Sequence, residues 1–405
     1  MADFIPPASS THHTDCEPLF IHIISVLIMT MQLEHILLPT GEFVEGRVWR
    51  ESTNMNLIQY HIIIVPGNPG IGTFYIPFGE KLYHHMNGQM SVRTITLGGF
   101  TKEEHFRHVK HVSHGDNSGS CGGHSHGHTH TIECPKEYTL QEECQFLQEY
   151  LRALNLQLQL GDQLSREGRI TRNETKVGEI DLAQLVSPHI QPASSTLPKR
   201  EHRFILMCHS IGSYIGLQAM TLTDESNGDL TRTNDRVAPF DVILPYLTGK
   251  STPLPPVRIA HAFLLFPFIR MDLSFFHYWS IRLALAMRPI LRLLLRLFRL
   301  LPISLWRLIL RFSMRITADH AVRAIYDTYT NLDIANAAAA LGSSEFTEVK
   351  RAHPTMKSLT TQLSKDDRHN FFDPTFLARH VKRVTMYYAG REHDIWGPLE
   401  QMKDF

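Results

Sequence analysis

Cysteine is scarce in this sequence: five residues (Cys16, Cys121, Cys134, Cys144 and Cys208) spread over 405 positions. A small secreted fold stapled by disulfides is thereby excluded, and a reducing compartment is the expectation. Net charge is also lacking, because Lys plus Arg and Asp plus Glu both number 40. Nothing therefore draws the chain toward nucleic acid as a whole. A long uninterrupted apolar run is missing too. The stretch Leu19 to Met31 is too short to span a bilayer comfortably. The residues before it contain Asp3, Asp15 and Glu17 but no Lys or Arg, so the basic region that opens a signal peptide is not there.

What is present alternates between apolar strands and helical periodicity. Residues 1–30 read as an extension and residues 31–405 as one large α/β domain. "QLEHILLPTGEFVEGRVWRE" predicts two strands joined by a Thr-Gly turn. "IQYHIIIVPGNPG" predicts a strand buried on both faces, as in parallel sheets. "TFYIPFGEKLYHHM" has helical spacing, with Phe74, Phe78 and Leu82 one turn apart. Further strands are expected at "SVRTITLGG", "HRFILMCH", "RIAHAFLLFPFI" and "VKRVTMYYAG", and an amphipathic helix at "TLQEECQFLQEYLRALNLQLQL". Alternation of this kind predicts a mostly parallel central sheet flanked by helices.

Three polar segments interrupt it. Residues 101–137 hold "SCGGHSHGHTH", whose His124, His126, His128 and His130 show no defined ligand spacing. A low-complexity loop is the expectation there, and no metal site is assigned. Residues 160–200 and 221–256 read as disordered insertions.

Chemistry concentrates at Cys208-His209-Ser210-Ile211-Gly212. A strand running through a sharp turn into a helix, with Ser at its apex, is the pattern of a nucleophile elbow. Gly-x-Ser-x-Gly is the usual form; Cys208 is a small stand-in for the first Gly. The alternative is a serine that merely caps a helix. Ester hydrolysis also needs an oxyanion hole. One N–H is expected from Ile211 and one from the loop "PGNPG", where Asn68 is the candidate. The acid expected after a late strand is Asp394, with Glu392 as its rival. The histidine should follow one strand later, and no histidine lies between Asp394 and Phe405. The sequence is therefore read as ending before its last strand and helix. No cofactor is called for.

Between Leu273 and Ile316 no acidic residue occurs, while Arg288, Arg292, Arg296, Arg299, Arg307 and Arg311 recur among Leu, Ile, Phe and Trp. This predicts an amphipathic lid over 273–316, kinked or divided at Pro289 and Pro302, with its arginines toward phosphates. A full span is disfavoured, since each Arg costs roughly 2.5 to 3.5 kcal/mol at mid-bilayer. A lid packed on the core with solvated arginines is the other possibility.

In the order "VPGNPGIGTFYIPF", "HSIGSY", "AFLLFP", "ANAAAALGSSEFTEVKR" and "YYAG…D.WGP", the chain resembles the lipid droplet-associated hydrolases, a branch of the α/β-hydrolases. The resemblance implies a serine lipid hydrolase acting on sterol esters or other neutral lipids, on the cytoplasmic side of lipid droplets and endoplasmic reticulum. Its nucleophile falls on Ser210 and its acid on Asp394. The competing expectation is a catalytically inactive protein that binds a lipid surface through residues 273–316.

Overall fold

The computed structural model describes residues 31–38, 43–50, 58–100, 137–166, 200–222, 256–268, 283, 286–313, 316, 318–351 and 379–387. Seven strands form one sheet: β1 (Gln32–Leu37), β2 (Phe43–Trp49), β3 (Ile58–Val65), β4 (Ser91–Ile95), β5 (Glu201–His209), β6 (Ile259–Leu265) and β7 (Val384–Tyr387). Their order across the sheet is β1-β2-β4-β3-β5-β6-β7. β1 runs antiparallel to β2, and β2 to β4, while β4, β3, β5, β6 and β7 run parallel to one another. This is the expected α/β-hydrolase arrangement, led in by the hairpin that the Thr-Gly turn predicted. β3 sits mid-sheet between β4 and β5, and its last five residues are all buried. A strand covered on both faces needs apolar side chains in both directions, which is why "HIIIV" does not alternate.

Each face is covered by helices. On one side α1 (Ile76–His85) follows a 3₁₀ turn at Gly72–Tyr75, and Tyr83 packs with Trp49, Ile62, Ile64 and Val92. The spacing of Phe74, Phe78 and Leu82 does not mark the buried line of this helix. Phe78 is 39% exposed, and Gly79 and Tyr83 face the sheet. A side chain at Gly79 would meet the Trp49 ring at 2.7 Å, so the closest helix–sheet contact is made where no apolar residue appears. On the other side lie α2 (Leu140–Arg166) and α3 (Gly212–Ala219). Leu140, Leu147, Leu151, Leu154 and Leu160 of α2 enter the main core. The helix thus runs seven residues into the insertion expected from residue 160; positions 167–199 lie outside the described residues, as do 101–136 and 223–255.

A buried polar column crosses the sheet near the amino ends of its parallel strands. Arg93 Nε donates to Glu34 Oε2 at 2.9 Å, and its NH1 lies 3.2 Å from His61 Nδ1. His61 Nε2 is 2.9 Å from His202 Nδ1, and His202 Nε2 is 3.2 Å from Asp162 Oδ2. A guanidinium only donates. His61 Nδ1 is therefore an acceptor, and its proton sits on Nε2 facing His202. Burial, then the Arg93 charge, hold the His61 pKa well below the ordinary imidazole value.

Above the carboxyl ends stand α4 (Arg288–Phe298), α5 (Ile303–Ser313), α6 (Asp319–Thr330) and α7 (Leu332–Arg351). Pro302 does divide the predicted lid. Pro289 stands at a second division: residues 283 and 286 are helical, Met287 is a turn, and Pro289 is the second residue of α4, where its missing N–H has no helical partner to lose. Trp306, Leu310 and Val322 make a small core of their own, whereas Ile334, Ala337 and Leu341 tie α7 into the main core. Among the described residues no helix is long and apolar enough to cross a membrane.

Candidate active site

Register decides which loops meet. Val65 at the end of β3 pairs with Cys208 near the end of β5, so the chain leaves both strands side by side at the carboxyl edge. Ser210 follows at φ 52°, a left-handed conformation that costs a residue with a Cβ about 1–2 kcal/mol. The surroundings hold it there: Ser210 N–H donates to the Leu265 carbonyl at 3.0 Å, and its own carbonyl accepts from Phe268 N–H at 3.1 Å. A Cβ on Gly212 would stand 2.5 Å from the Pro66 carbonyl oxygen, so glycine is required immediately after the turn. The departure at Cys208 is compensated one helical turn later. The buried Cys208 sulfur occupies the space that a side chain on Gly216 would need. Burial also pushes the thiol pKa far up, leaving it inert.

The loop after β3 is fixed from several sides. A Cβ on Gly67 would meet Ser210 Cβ at 2.8 Å; only glycine lets the two loops approach so closely. Gly67 N–H donates to Tyr75 Oη at 3.2 Å, and Tyr75 Oη lies 2.8 Å from His209 Nδ1. Burial raises the Tyr75 pKa to about 12, so the phenol keeps its proton. His209 is thereby held against Tyr75 and the Phe266 ring.

Asn68 has two parts with different roles. Its side-chain Nδ2 donates to the Ala338 carbonyl of α7 at 3.0 Å. Its backbone N–H has no hydrogen-bond partner among the described residues, and neither does that of Ile211. Two unengaged amides flanking a strained serine form an arrangement able to receive an anionic oxygen.

Asp394, Glu392 and the histidine tract lie outside the described residues. So do the side chains of Arg288 and Arg292, although both residues belong to α4. Arg296, Arg299 and Arg311 are exposed. Arg307 is exposed as well, but it pairs with Asp319 at 3.1 Å rather than standing unpaired on the lid surface. Apolar residues beside them are uncovered to a similar degree: Leu293, Leu297, Leu300, Leu308 and Phe312 are each more than half exposed. Among the described residues no cluster of His, Cys, Asp or Glu is placed to hold a metal.

Beneath the lid a cleft of about 550 Å³ opens between Ile71, Ile76 and Phe100 on the sheet side and Ile303, Val322 and Ile334 on the helices. Its wall reaches Ile71 but not Ser210. Three residues that shape the site escape sequence reasoning: Tyr75, Gly216 and Glu345. For Glu345 a signal existed, since an acid directly follows the small-residue run "NAAAALGSS".

A family model described as "Lipid-droplet associated hydrolase" matches residues 58–160 and 167–405. A 42-residue stretch is 40% identical to the lipid droplet-associated hydrolase of Rattus norvegicus, covering 10% of this chain and 13% of that protein. Among solved structures, similarity extends to a 2-hydroxy-6-oxo-6-phenylhexa-2,4-dienoate hydrolase from Rhodococcus sp. strain RHA1. That likeness is 10% identical with a TM-score of 0.38, covering 88% of this chain and 90% of that one. A membrane phospholipase A described as a bacterial virulence factor gives 10% identity and a TM-score of 0.35, covering 91% and 82%. At those scores the structural likenesses carry no weight beside the strand order and the turn geometry.

Proposed function

The chain belongs to the lipid-droplet associated hydrolase family, and from that premise we propose that it hydrolyses carboxylic esters of neutral lipids, sterol esters among them, with Ser210 as nucleophile. The carrying observation is Ser210 at φ 52° between Gly67 and Gly212, two glycines that admit no side chain. Strain of this kind persists only where the surroundings over-determine it, and it aims the hydroxyl clear of the strand end.

In the proposed reaction the Ser210 hydroxyl loses its proton to a histidine base braced by Asp394 and attacks the ester carbonyl. The carbonyl oxygen, now anionic, is held by the Asn68 and Ile211 amides. Collapse releases the alcohol, protonated by the same imidazole, and water then frees the acid from the acyl-serine. The uncovered Leu and Phe of α4 and α5, with Arg296, Arg299 and Arg311 among them, suit a lipid surface such as a droplet or the endoplasmic reticulum.

Labelling with a fluorophosphonate probe tests this. Wild-type protein is expected to react at one serine, and Ser210→Gly to lose the label. The variant should also be more stable by about 1 kcal/mol, since glycine adopts the left-handed turn without penalty. A label that survives in Ser210→Gly refutes the assignment. Unlabelled wild type that still floats with lipid droplets would favour the lipid-binding alternative.

A further inference from the structure

The small-residue segment of α7 is given no role by the reaction above, yet it is the element against which the oxyanion loop leans. Ala338, Gly342 and Glu345 are spaced one and two helical turns apart and share a face. All three meet one side chain, that of Asn68. Its Nδ2 donates to the Ala338 carbonyl at 3.0 Å. A Cβ on Gly342 would come within 3.3 Å of the same Nδ2, so glycine keeps that approach open. The Glu345 carboxyl lies beside Asn68 as well, close enough for the side-chain amide to favour its charged form against burial.

Glu345 is unusual in its surroundings. Only 7% exposed, it has one oxygen, Oε1, buried with no hydrogen-bond partner among the described residues. A carboxyl on a helix face otherwise lined by Ala, Leu and Gly is expensive to bury, and core packing offers no reason for one. A reason appears when the loop is followed atom by atom. Gly67 N–H is occupied by Tyr75, and Ile71 N–H donates to the Pro69 carbonyl at 2.7 Å. Pro66 and Pro69 have no N–H. Gly70 N–H lies two residues farther along the loop; the unengaged amide next to Gly67, which packs against Ser210, is that of Asn68, and the Asn68 side chain is tied to α7.

We propose that α7 is the seat of the oxyanion loop, with Glu345 a positioning residue that holds the Asn68 side chain and through it aims the Asn68 backbone N–H at the reacting carbonyl. The inference rests on Ser210 being the nucleophile. Glu345 itself touches neither substrate nor Ser210; it acts through one hydrogen bond and the backbone it restrains. An amide donor that drifts by a fraction of an ångström loses much of its stabilisation of the transition state while substrate binding is little altered.

The test uses the full-length protein with a short-chain p-nitrophenyl ester and the fluorophosphonate probe, alongside thermal melting. Glu345→Ala should lower kcat and the labelling rate constant together by about tenfold to a hundredfold, below the roughly hundredfold to thousandfold cost of deleting an oxyanion donor outright. KM should move by less than about threefold, as expected for an interaction realised only in the transition state. Glu345→Gln retains an oxygen to accept from Asn68 and should recover the rate to within about threefold. The proposal is overturned if Glu345→Ala reacts like wild type, if rate losses simply follow lowered melting temperatures, or if Gln is as poor as Ala. A wild-type protein that the probe does not label overturns the nucleophile itself, and the positioning role with it. A labelled wild type with an unaffected Glu345→Ala overturns the positioning role alone.

Discussion

Replacing Glu345 by glutamine should stabilise the protein, and increasingly so as pH rises. Burial lifts the Glu345 carboxyl from the ordinary 4.5 to about 8, only partly opposed by the Asn68 hydrogen bond. At neutral pH the native state therefore keeps the proton, whereas the unfolded chain releases it above about pH 4.5. The native state binds more protons than the unfolded state between those values. Stability from this group is accordingly greatest below about pH 4.5, declines as pH rises toward about 8, and levels off beyond. The full change amounts to about 5 kcal/mol, of which about 3 kcal/mol falls between about pH 5.5 and about pH 8.5. Glutamine has nothing to release. Urea unfolding of wild type and Glu345→Gln at those two pH values should show the variant's advantage growing by about that amount. If the difference between the two proteins stays within about 1 kcal/mol across the range, Glu345 is ionised in the native state and the burial reasoning is wrong.

Gly216→Ala should destabilise the fold by about 1–3 kcal/mol, because the new methyl collides with the Cys208 sulfur. In a Cys208→Gly background most of that penalty should vanish, a coupling that paired unfolding curves would expose; equal penalties in both backgrounds would refute the contact. Replacing Leu297 and Phe312 by serine should weaken sedimentation with phosphatidylcholine vesicles at least about tenfold, each side chain contributing on the order of 1.5–3 kcal/mol if fully inserted. Unchanged sedimentation would remove the uncovered lid residues from lipid binding.

Much of this fold can be read directly from residue patterns, and the exceptions have definite causes. β3 announces itself because a strand covered on both faces must be apolar at successive positions. α2 does so through its one-sided leucines, and the elbow through a serine set between a strand and small helical residues. Phe78 misleads because hydrophobicity was taken as the mark of burial, while the contact with Trp49 is made through Gly79, which has no side chain to signal it. Asn68 stands out as a candidate loop donor from its place between two Pro-Gly turns. Its restraint by Ala338, 270 positions away, was not, since no local pattern records which helix a loop will lean on. The five-residue elbow motif likewise overlooks the exchange in which Cys208 enlarges one side of a contact that Gly216 reduces on the other. Within the lid, charge spacing showed where arginines fall along α4 and α5 but could not show that Asp319, beyond the acid-free stretch, would turn to meet Arg307.

The column from Arg93 through His61 and His202 to Asp162 also has a direction. Because the guanidinium cannot accept, His61 presents an acceptor toward Arg93 and a donor toward His202, which accepts through Nδ1. The end of the sheet away from Ser210 thus carries a polar line that runs from the buried Glu34–Arg93 ion pair through two imidazoles to the Asp162 carboxylate. His61 cannot change tautomer alone: reversing it sets two donors facing each other at Arg93 and two acceptors facing each other at His202. Strands β3, β4 and β5 and the end of α2 are in this sense locked by parity as well as by packing, and a slip of one strand by one residue would be penalised even where apolar side chains tolerated it.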